Sequence, residues 1–554
     1  MDPVIVVGAG PVGLTLALSL AAQGVPSVLL DEGPGKDEPR PARTVVLRED
    51  TAALVERLGV RPPGIPALRW TGWRSMRRRQ VVREVPLGDD GDEGDGGEHD
   101  GGGLPAPVHL AQHVLTRGLR AAVAAQPLVR MVPLSRIDTL EQDPGGVTVH
   151  TKGADATWWR GSYLVGCDGA RSTVRKLLEI RFPGRTAVER HAVAALRAEL
   201  PWPGQAVLHR QPPWRSGGDE VSARPLPGGV WRLDWLLPPR GDLVTPDALV
   251  ARTRETLAGW CGETPPYELL DTGVYTLHHR LALRWRVGRA FLAGDAAHLM
   301  GALGTQGVDE GLRDAENLAW KLALAWHHGA SEVLLDSYQA ERRAAVAGRL
   351  RAADQSLPIL RGGGGLRSLV SGGARGHDAL LADGHLGCGP LGAPPSYTHS
   401  PLAPQHAQAH SPVGTPSGAP VADVRVTAPD GTTVRLRDRL GLGRLLVVLV
   451  APGTGVWDRR HWMTAGVMPR LADAVRALPV PGEILVAESY PGAVAHTVLL
   501  VRPDGHLVTS FAGVRPAELF AAADVTRGGP EGARGDGEGS ARTSARSSRT
   551  ATIN

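Results

Sequence analysis

Gly8, Gly10 and Gly13 stand as G-x-G-x-x-G in VIVVGAGPVGLTLALSL. In such a turn the first glycine lets the chain fold back. The second lets backbone approach a pyrophosphate, and the third lets helix and strand pack closely. The helix N-terminus behind them favours phosphate charge. Asp31 follows 18 residues after Gly13, the spacing of a carboxylate at the tip of a second strand that binds a ribose hydroxyl. A glycine turn can exist without a ligand, but here strand, turn, helix and acidic residue come in the order a dinucleotide needs. The motif by itself does not separate NAD from FAD. Two more carboxylates occupy related places: VGCDGARSTVR (165–175) puts Asp168-Gly169 at a strand end, and GRAFLAGDAAH (288–298) puts Asp295 directly after a buried strand. Open α/β sheets bind ligands at such carboxyl ends, so Asp295 suits a ribityl or ribose hydroxyl.

The elements that must position these groups follow from the pattern. Residues 3–31 read as strand, glycine turn, apolar helix closed by Gly24, and second strand. Residues 108–126 have helical periodicity, 147–168 give short strands, and 180–285 are strand-rich with scattered Trp and Pro. In 311–329, Leu312, Ala315, Leu318, Ala319, Leu322 and Trp326 share a helix face. Residues 88–103 hold eight Gly and seven acidic residues in sixteen, a disordered surface insert. After a Gly/Pro/Ser/His-rich linker at 387–418 comes a compact α/β pattern at 419–526, then an Arg/Ser/Gly tail at 527–554.

The 554 residues have room for about three units. An apolar fraction of 42% and a charged fraction of 21% exclude wholesale disorder. The chain has 57 Arg against 4 Lys, which reads as the codon bias of a GC-rich bacterial genome. A net charge of +4 spread along the chain argues against a nucleic-acid groove. Cys167, Cys261 and Cys388 are too scattered for a disulfide framework or zinc site, so no metal is expected. With no signal peptide or long apolar run, the chain reads as cytoplasmic, with no membrane partner.

The three motifs, in this order, resemble the FAD-dependent class A aromatic hydroxylases, the p-hydroxybenzoate hydroxylase superfamily, over about residues 1–350. The resemblance implies an α/β and α+β chain. A Rossmann-like FAD-binding domain (1–179, returning at 286–386) is interleaved with a β-sheet substrate domain (180–285). It also implies FAD as cofactor, NADPH or NADH as co-substrate, molecular oxygen, a small aromatic substrate and a possible homodimer. Oxygen would pass to a phenolic or polycyclic polyketide-like ring through a flavin C4a-hydroperoxide. Alternatives are Baeyer–Villiger insertion, epoxidation, or a flavin-binding protein that sequesters an intermediate. Site residues carried over are Gly8, Gly10, Gly13, Asp31, Asp168, Gly169 and Asp295, with Arg43 of ARTVV and Gln112 at a helix start. GTQGVDEGLRDAENLAWKLA (304–323) resembles the flavin-ring loop and its helix, giving Gly304, Gln306, Gly307 and Val308. No obligatory catalytic side chain is assigned, and no base stands out in 180–285. Residues 419–526 resemble the thioredoxin-like domain of the phenol hydroxylase and polyketide hydroxylase subgroup, without C-x-x-C.

One departure from the family matters. Gly301 and Ala302 stand where prolines are expected, and Asp309 where Asn is usual. A carboxylate near the flavin pyrimidine edge would repel negative charge there unless it points away or is neutral. Other residues have plain readings. His298 suits a structural hydrogen bond. His278-His279 and His327-His328 lack metal-site partners. Arg77–Arg79 suit a solvated strand edge better than a 2′-phosphate, and Trp202, Trp214, Trp231 and Trp235 suit core packing.

Overall fold

A computed structural model of the chain describes residues 1–36, 38–60, 66–88, 104–153, 156–214, 220–237, 244–301, 306–329, 331–360, 382, 384, 386–404, 411–453 and 466–529. The acidic insert beyond residue 88, Gly304, the 362–376 segment and the tail beyond residue 529 lie outside the described residues.

The first layer is a six-stranded sheet in the order Arg286–Val287, Ala290–Leu292, Tyr163–Gly166, Val4–Val7, Ser27–Leu30, Val129–Val132. All its neighbours are parallel except the first pair. Its strands are short and apolar because helices cover both faces. Helix α1 (Pro11–Ala22) follows the central strand and packs on α6 (Gln306–His328). The expected apolar face of α6 is buried: Leu312, Ala315, Leu318, Ala319 and Leu322 are all at 0% exposure. Helix α2 is Glu49–Arg57 and α3 is Gln112–Ala124. The helical expectation for 108–126 holds only from Gln112. Val108–Ala111 form a strand paired with Thr44–Leu47, which stretches the backbone before the helix begins.

The second layer is a nine-stranded sheet. It reaches past the expected 180–285 bounds: the hairpin Gly72–Arg77/Gln80–Gly88 and the His298–Met300 strand pair into it. Alternation divides its two faces. Trp231, Leu233 and Trp235 join Ala192, Ala194 and Leu196 in a core on one side, whereas Val193, Ala195 and Tyr275 cluster with Ala42 on the other. Within the expected β-layer lies a helix the pattern had not suggested, α5 (Pro246–Cys261), against the Trp face. Its signal was present in Thr245-Pro246-Asp247: Thr245 Oγ1 accepts from Ala248 N at 3.2 Å, with Pro in the first turn.

The third unit, from about 420, is a six-stranded mixed sheet centred on Leu445–Val450, with helices Met468–Arg476 and Pro516–Thr526. The stretch expected as a linker is packed instead. Tyr397 and Leu402 are buried, and the Tyr397 hydroxyl accepts from Arg342 Nη1 at 3.3 Å. Tight loops need no periodicity to pack, so pattern reading missed this contact.

Candidate functional site

The parallel sheet carries three carboxylates past the carboxyl ends of three strands. Asp31 follows Ser27–Leu30, Asp168 follows Tyr163–Gly166, and Asp295 follows Ala290–Leu292. Neighbours of the central strand lie on both sides of it, so the chain's order reverses there, and a crevice opens.

The glycine turn is built for a close ligand. Gly8 has φ +102°, and a Cβ there would meet the Cys167 carbonyl oxygen at 2.5 Å. A Cβ at Gly13 would meet the Gly8 carbonyl oxygen at 1.9 Å. At Gly10, which precedes α1, a Cβ would meet nothing within 4 Å; it would only fill the crevice. Two glycines therefore serve packing, and the third leaves backbone open where a pyrophosphate would lie. Asp31 Oδ1 accepts from Ala9 N at 3.0 Å, which fixes the carboxylate beside this turn. A cavity of about 450 Å³ runs along Gly8, Gly10, Asp31, Asp168 and Gly169. Asp168 Oδ2 accepts from Thr173 N (2.7 Å) and Val174 N (3.0 Å), capping helix α4 (Thr173–Leu177). Its Oδ1 is buried with no partner, a free acceptor beside the cavity. These residues fit a dinucleotide such as FAD.

A second cavity, about 640 Å³, shares Gly10, Cys167 and Gly169 with the first. It collects Arg43, Gln112, Asp295, Gly307 and Val308 beneath the nine-stranded sheet. Arg43 Nε donates to Gln112 Oε1 at 2.9 Å, and Gln112 N donates back to the Arg43 carbonyl. Gly307 opens α6 beside Asp295: a Cβ on it would stand 3.7 Å from Asp295 Oδ1. The backbone of Gln306 begins the same helix turn. Asp295 opens on the cleft, yet the surrounding walls desolvate its carboxyl and raise its pKa, an effect that His298 and Arg43 partly offset.

Helix α6 positions the Asp295 loop from behind. Asp314 Oδ2 accepts from Gly294 N (2.9 Å) and His298 Nε2 (2.8 Å), so both ends of the loop are tied to one carboxylate. Arg342 Nε in turn donates to Asp314 Oδ1 at 2.8 Å. His298, fully buried and stacked on Trp285, is a structural residue as expected. Asp309 turns away from the cleft. Its Oδ1 accepts from Thr51 Oγ1 at 2.7 Å, and it pairs with Arg48 at the start of α2. Burial raises its pKa, against the pull of Arg48 and Arg313.

A polar cluster that sequence reading missed stands behind the cleft wall and reaches it through Arg232 and Tyr275. Asp234 Oδ1 is 2.6 Å from His191 Nδ1. Asp234 Oδ2 accepts from Tyr275 Oη at 2.7 Å and from Arg232 Nη2 at 3.0 Å. The His191 and Tyr275 rings stack with centroids 5.2 Å apart. Burial alone would push the Asp234 carboxyl up, but the His191 contact and the charges of Arg232 and Arg224 bring it well below the carboxylate range. Burial, then the Asp234 charge, raises the Tyr275 hydroxyl. Arg232 Nη1 donates to Thr44 Oγ1 (3.0 Å) and Ala42 N donates to Asp271 Oδ2 (3.1 Å), so the segment carrying Arg43 is tied to the sheet on both sides. The signal lay in VWRLDWLL: a strand with Trp, Leu and Trp on one face puts Arg232 and Asp234 together on the other.

The remaining candidates stand apart. Arg77–Arg79 form the exposed end of a hairpin and line neither cavity. Trp231 and Trp235 are buried beside α5, and Trp202 and Trp214 pack edge-on against Trp260. Among the described residues no group of three or more His, Cys, Asp or Glu could hold a metal ion. No described helix is long and apolar enough to cross a membrane.

Known proteins match this chain over different lengths. The chain is 33% identical over 350 residues to a 3-(3-hydroxy-phenyl)propionate/3-hydroxycinnamic acid hydroxylase of Paraburkholderia xenovorans, covering 62% of this chain and 53% of that one. A hydroxylase of the same name from Mycobacterium sp. (strain JLS) is 29% identical over 96% of this chain and 94% of its own. Among solved structures, OxyS anhydrotetracycline hydroxylase from Streptomyces rimosus superposes with a TM-score of 0.66 at 26% identity, covering 96% of this chain and 99% of that one. The flavin-dependent monooxygenase PieE, at 22% identity and a TM-score of 0.71 over 95% of this chain and 98% of its own, shares the fold. The FAD binding domain model matches residues 1–353, the stretch that holds the glycine turn, the three strand-end carboxylates and the cleft, and the chain belongs to that family.

Proposed function

We propose that the chain is an FAD-dependent monooxygenase that uses NADPH or NADH and molecular oxygen to hydroxylate an aromatic substrate. The observation that carries this reading is the wall shared by the two cavities. A dinucleotide laid on Gly10 and Asp31 continues past Cys167 and Gly169 into a cleft roofed by a separate sheet. Bound FAD supplies electron transfer and oxygen activation. The chain supplies placement. The α1 N-terminus and Gly10 backbone take the pyrophosphate, and Asp31 takes a ribose hydroxyl. Arg43, Gln112 and Asp295 hold the middle of the cofactor, and the start of α6 at Gly307 and Val308 presents N–H groups and a helix dipole to the ring end. Asp168 and Gly169 close the side between the cavities.

The relatives' names point to a phenolic acid or a polycyclic polyketide as the substrate class. Asp309 turns from the cleft toward Thr51 and Arg48, which supports a productive flavin site over a merely sequestering one. A cytoplasmic homodimer completes the proposal. The test is NADPH and NADH consumption by FAD-loaded protein with and without a panel of phenols, read together with product mass. A gain of one oxygen atom supports the reading. Protein that binds no FAD, or whose reductant consumption no aromatic compound stimulates, overturns it.

A further inference from the structure

A third cavity, of about 410 Å³, shares no lining residue with the other two. Its walls come from α2 and α6, from the packed stretch around Tyr397, and from the third unit. Small-molecule pockets run from about 300 to 1,000 Å³, so its size suits a ligand. Pro394, Pro395, Val421, Leu436 and Leu440 make one side of it aliphatic.

Five carboxylates line this cavity, and four of them are met. Asp50 accepts from Arg313 at both oxygens, 2.6 and 2.9 Å away. Arg437 engages both oxygens of Asp423 and also pairs with Glu49 at 3.2 Å. Arg502 engages both oxygens of Asp504. Glu316 is the exception. Arg57 Nη2 donates to its Oε1 at 2.5 Å, and among the described residues no donor reaches Oε2. With 19% of the side chain exposed, water solvates that oxygen only in part. Burial pushes the Glu316 carboxyl up. Arg57 pulls it down, Asp504 and Asp50 push it further, and His506 pulls back, which leaves it at about 7. Arg313 and Asn317 on the same helix are already committed to other carboxylates.

We propose that this cavity is a further binding site, taking a small molecule that carries a primary ammonium group on an apolar body. The ammonium donates to Glu316 Oε2 while Arg57 keeps Oε1. The proline and leucine wall encloses the body.

The chemistry separates this occupant from its near analogues. An alcohol offers Glu316 a donor without charge, and a hydrogen bond between ions is about twice as strong as a neutral one. A carboxylate would be repelled by Glu316, Asp50 and Asp504 together. The occupant touches α6 two residues from Asp314, which ties the Asp295 loop. The site thus adjoins the seat of the cofactor without sharing a lining residue with it.

The test is calorimetric titration of FAD-loaded protein with cyclohexylmethylamine, cyclohexylmethanol and cyclohexanecarboxylate. Their saturated rings match the aliphatic wall and are poor mimics of an aromatic substrate. At pH 8 the amine should bind about tenfold or more tighter than the alcohol, the size of one charge-assisted hydrogen bond. The carboxylate should bind more weakly than either. An alkyl ammonium stays charged to about pH 10. Amine affinity should therefore fall about tenfold from pH 8 to pH 6, as the Glu316 carboxyl takes up its proton, while alcohol affinity stays level. Glu316→Gln keeps the shape and removes the charge, so it should bring the two affinities together and flatten the profile. Ala53→Met fills the cavity from α2 and should weaken both ligands. An amine that binds no tighter than the alcohol, or not at all, overturns the proposal. So does an amine affinity that is flat from pH 6 to 8, or one that Glu316→Gln leaves as in the wild type. Should Glu316→Gln fail to fold, Ala53→Met decides, and amine bound there as in the wild type overturns it. None of these outcomes depends on turnover of an aromatic compound, so this site and the proposed function fail separately.

Discussion

At the level of single residues, each of the three glycines answers to a different physical demand. Gly13 has no room for a methyl group, since the Gly8 carbonyl would stand 1.9 Å from it. Gly13→Ala is therefore expected to separate the turn from α1, lowering stability by about 1–3 kcal/mol and FAD affinity with it. Urea unfolding and quenching of free FAD fluorescence would measure the two losses. Asp31→Ala should behave differently. It removes an acceptor for Ala9 N and for a ribose, so FAD affinity should fall by about tenfold or more while the thermal midpoint moves little. A variant that unfolds, yet binds FAD normally per folded molecule, would count against the ribose role. Glycines and strand-end carboxylates were legible in the sequence because their spacing along the chain is local. The Asp234 cluster was not, because His191, Asp234 and Tyr275 meet only through strand pairing across 43 and 41 residues. The Arg232–Asp234 half of it was readable from alternation alone.

At the level of elements, the site depends on how α6 is seated. Its first turn meets α2 through Asp309, and its middle meets the Asp295 loop through Asp314. The length and apolar face of α6 could be read from sequence; its polar seating could not, since Asp309, Glu310, Asp314 and Asn317 look like an ordinary solvated face until α2, Arg342, the Asp295 loop and, for Asn317, the third unit engage them. The Val108–Ala111 strand gives a pH prediction. His109 is buried within it, 2.7 Å from the Pro225 carbonyl and edge-on to Trp70. Burial lowers its pKa to about 3. A depressed pKa means the unfolded chain takes up the proton first as pH falls. His109 thus contributes stability above about pH 6.5, and that contribution is lost progressively toward pH 3. His109→Asn should show a shallower fall in urea midpoint than the wild type between pH 6.5 and 4. Parallel curves would contradict the assignment.

At the level of the whole molecule, the third unit is joined to the cofactor-binding unit by a buried charge network. Arg502 makes two bonds to Glu341, at 2.7 and 2.9 Å, and two to Asp504, at 2.9 and 2.6 Å; Asp504 also accepts from Trp320 and Asn317 of α6. Lys321 completes the set at 2.7 Å from Glu341. Burial by itself would raise the Glu341 carboxyl, but Arg502 and Lys321 hold it well below its usual range. Removing one partner leaves buried charge unmet, so Arg502→Met should cost about 3–5 kcal/mol. It should lower the thermal midpoint and open the 387–404 strap to protease, while folded protein keeps its FAD. The sheet over the cleft has a further consequence. Val193, Gly273 and Tyr275 line the cavity while Ala192, Ala194, Trp231 and Leu233 lie in the α5 core, so 193, 273 and 275 can be varied together in a combinatorial library with the packed side left intact. Each such change would meet the incoming molecule directly, and the cofactor would stay on glycines and strand ends that none of these positions supplies. Ligand preference and cofactor retention are thus separately evolvable on one backbone.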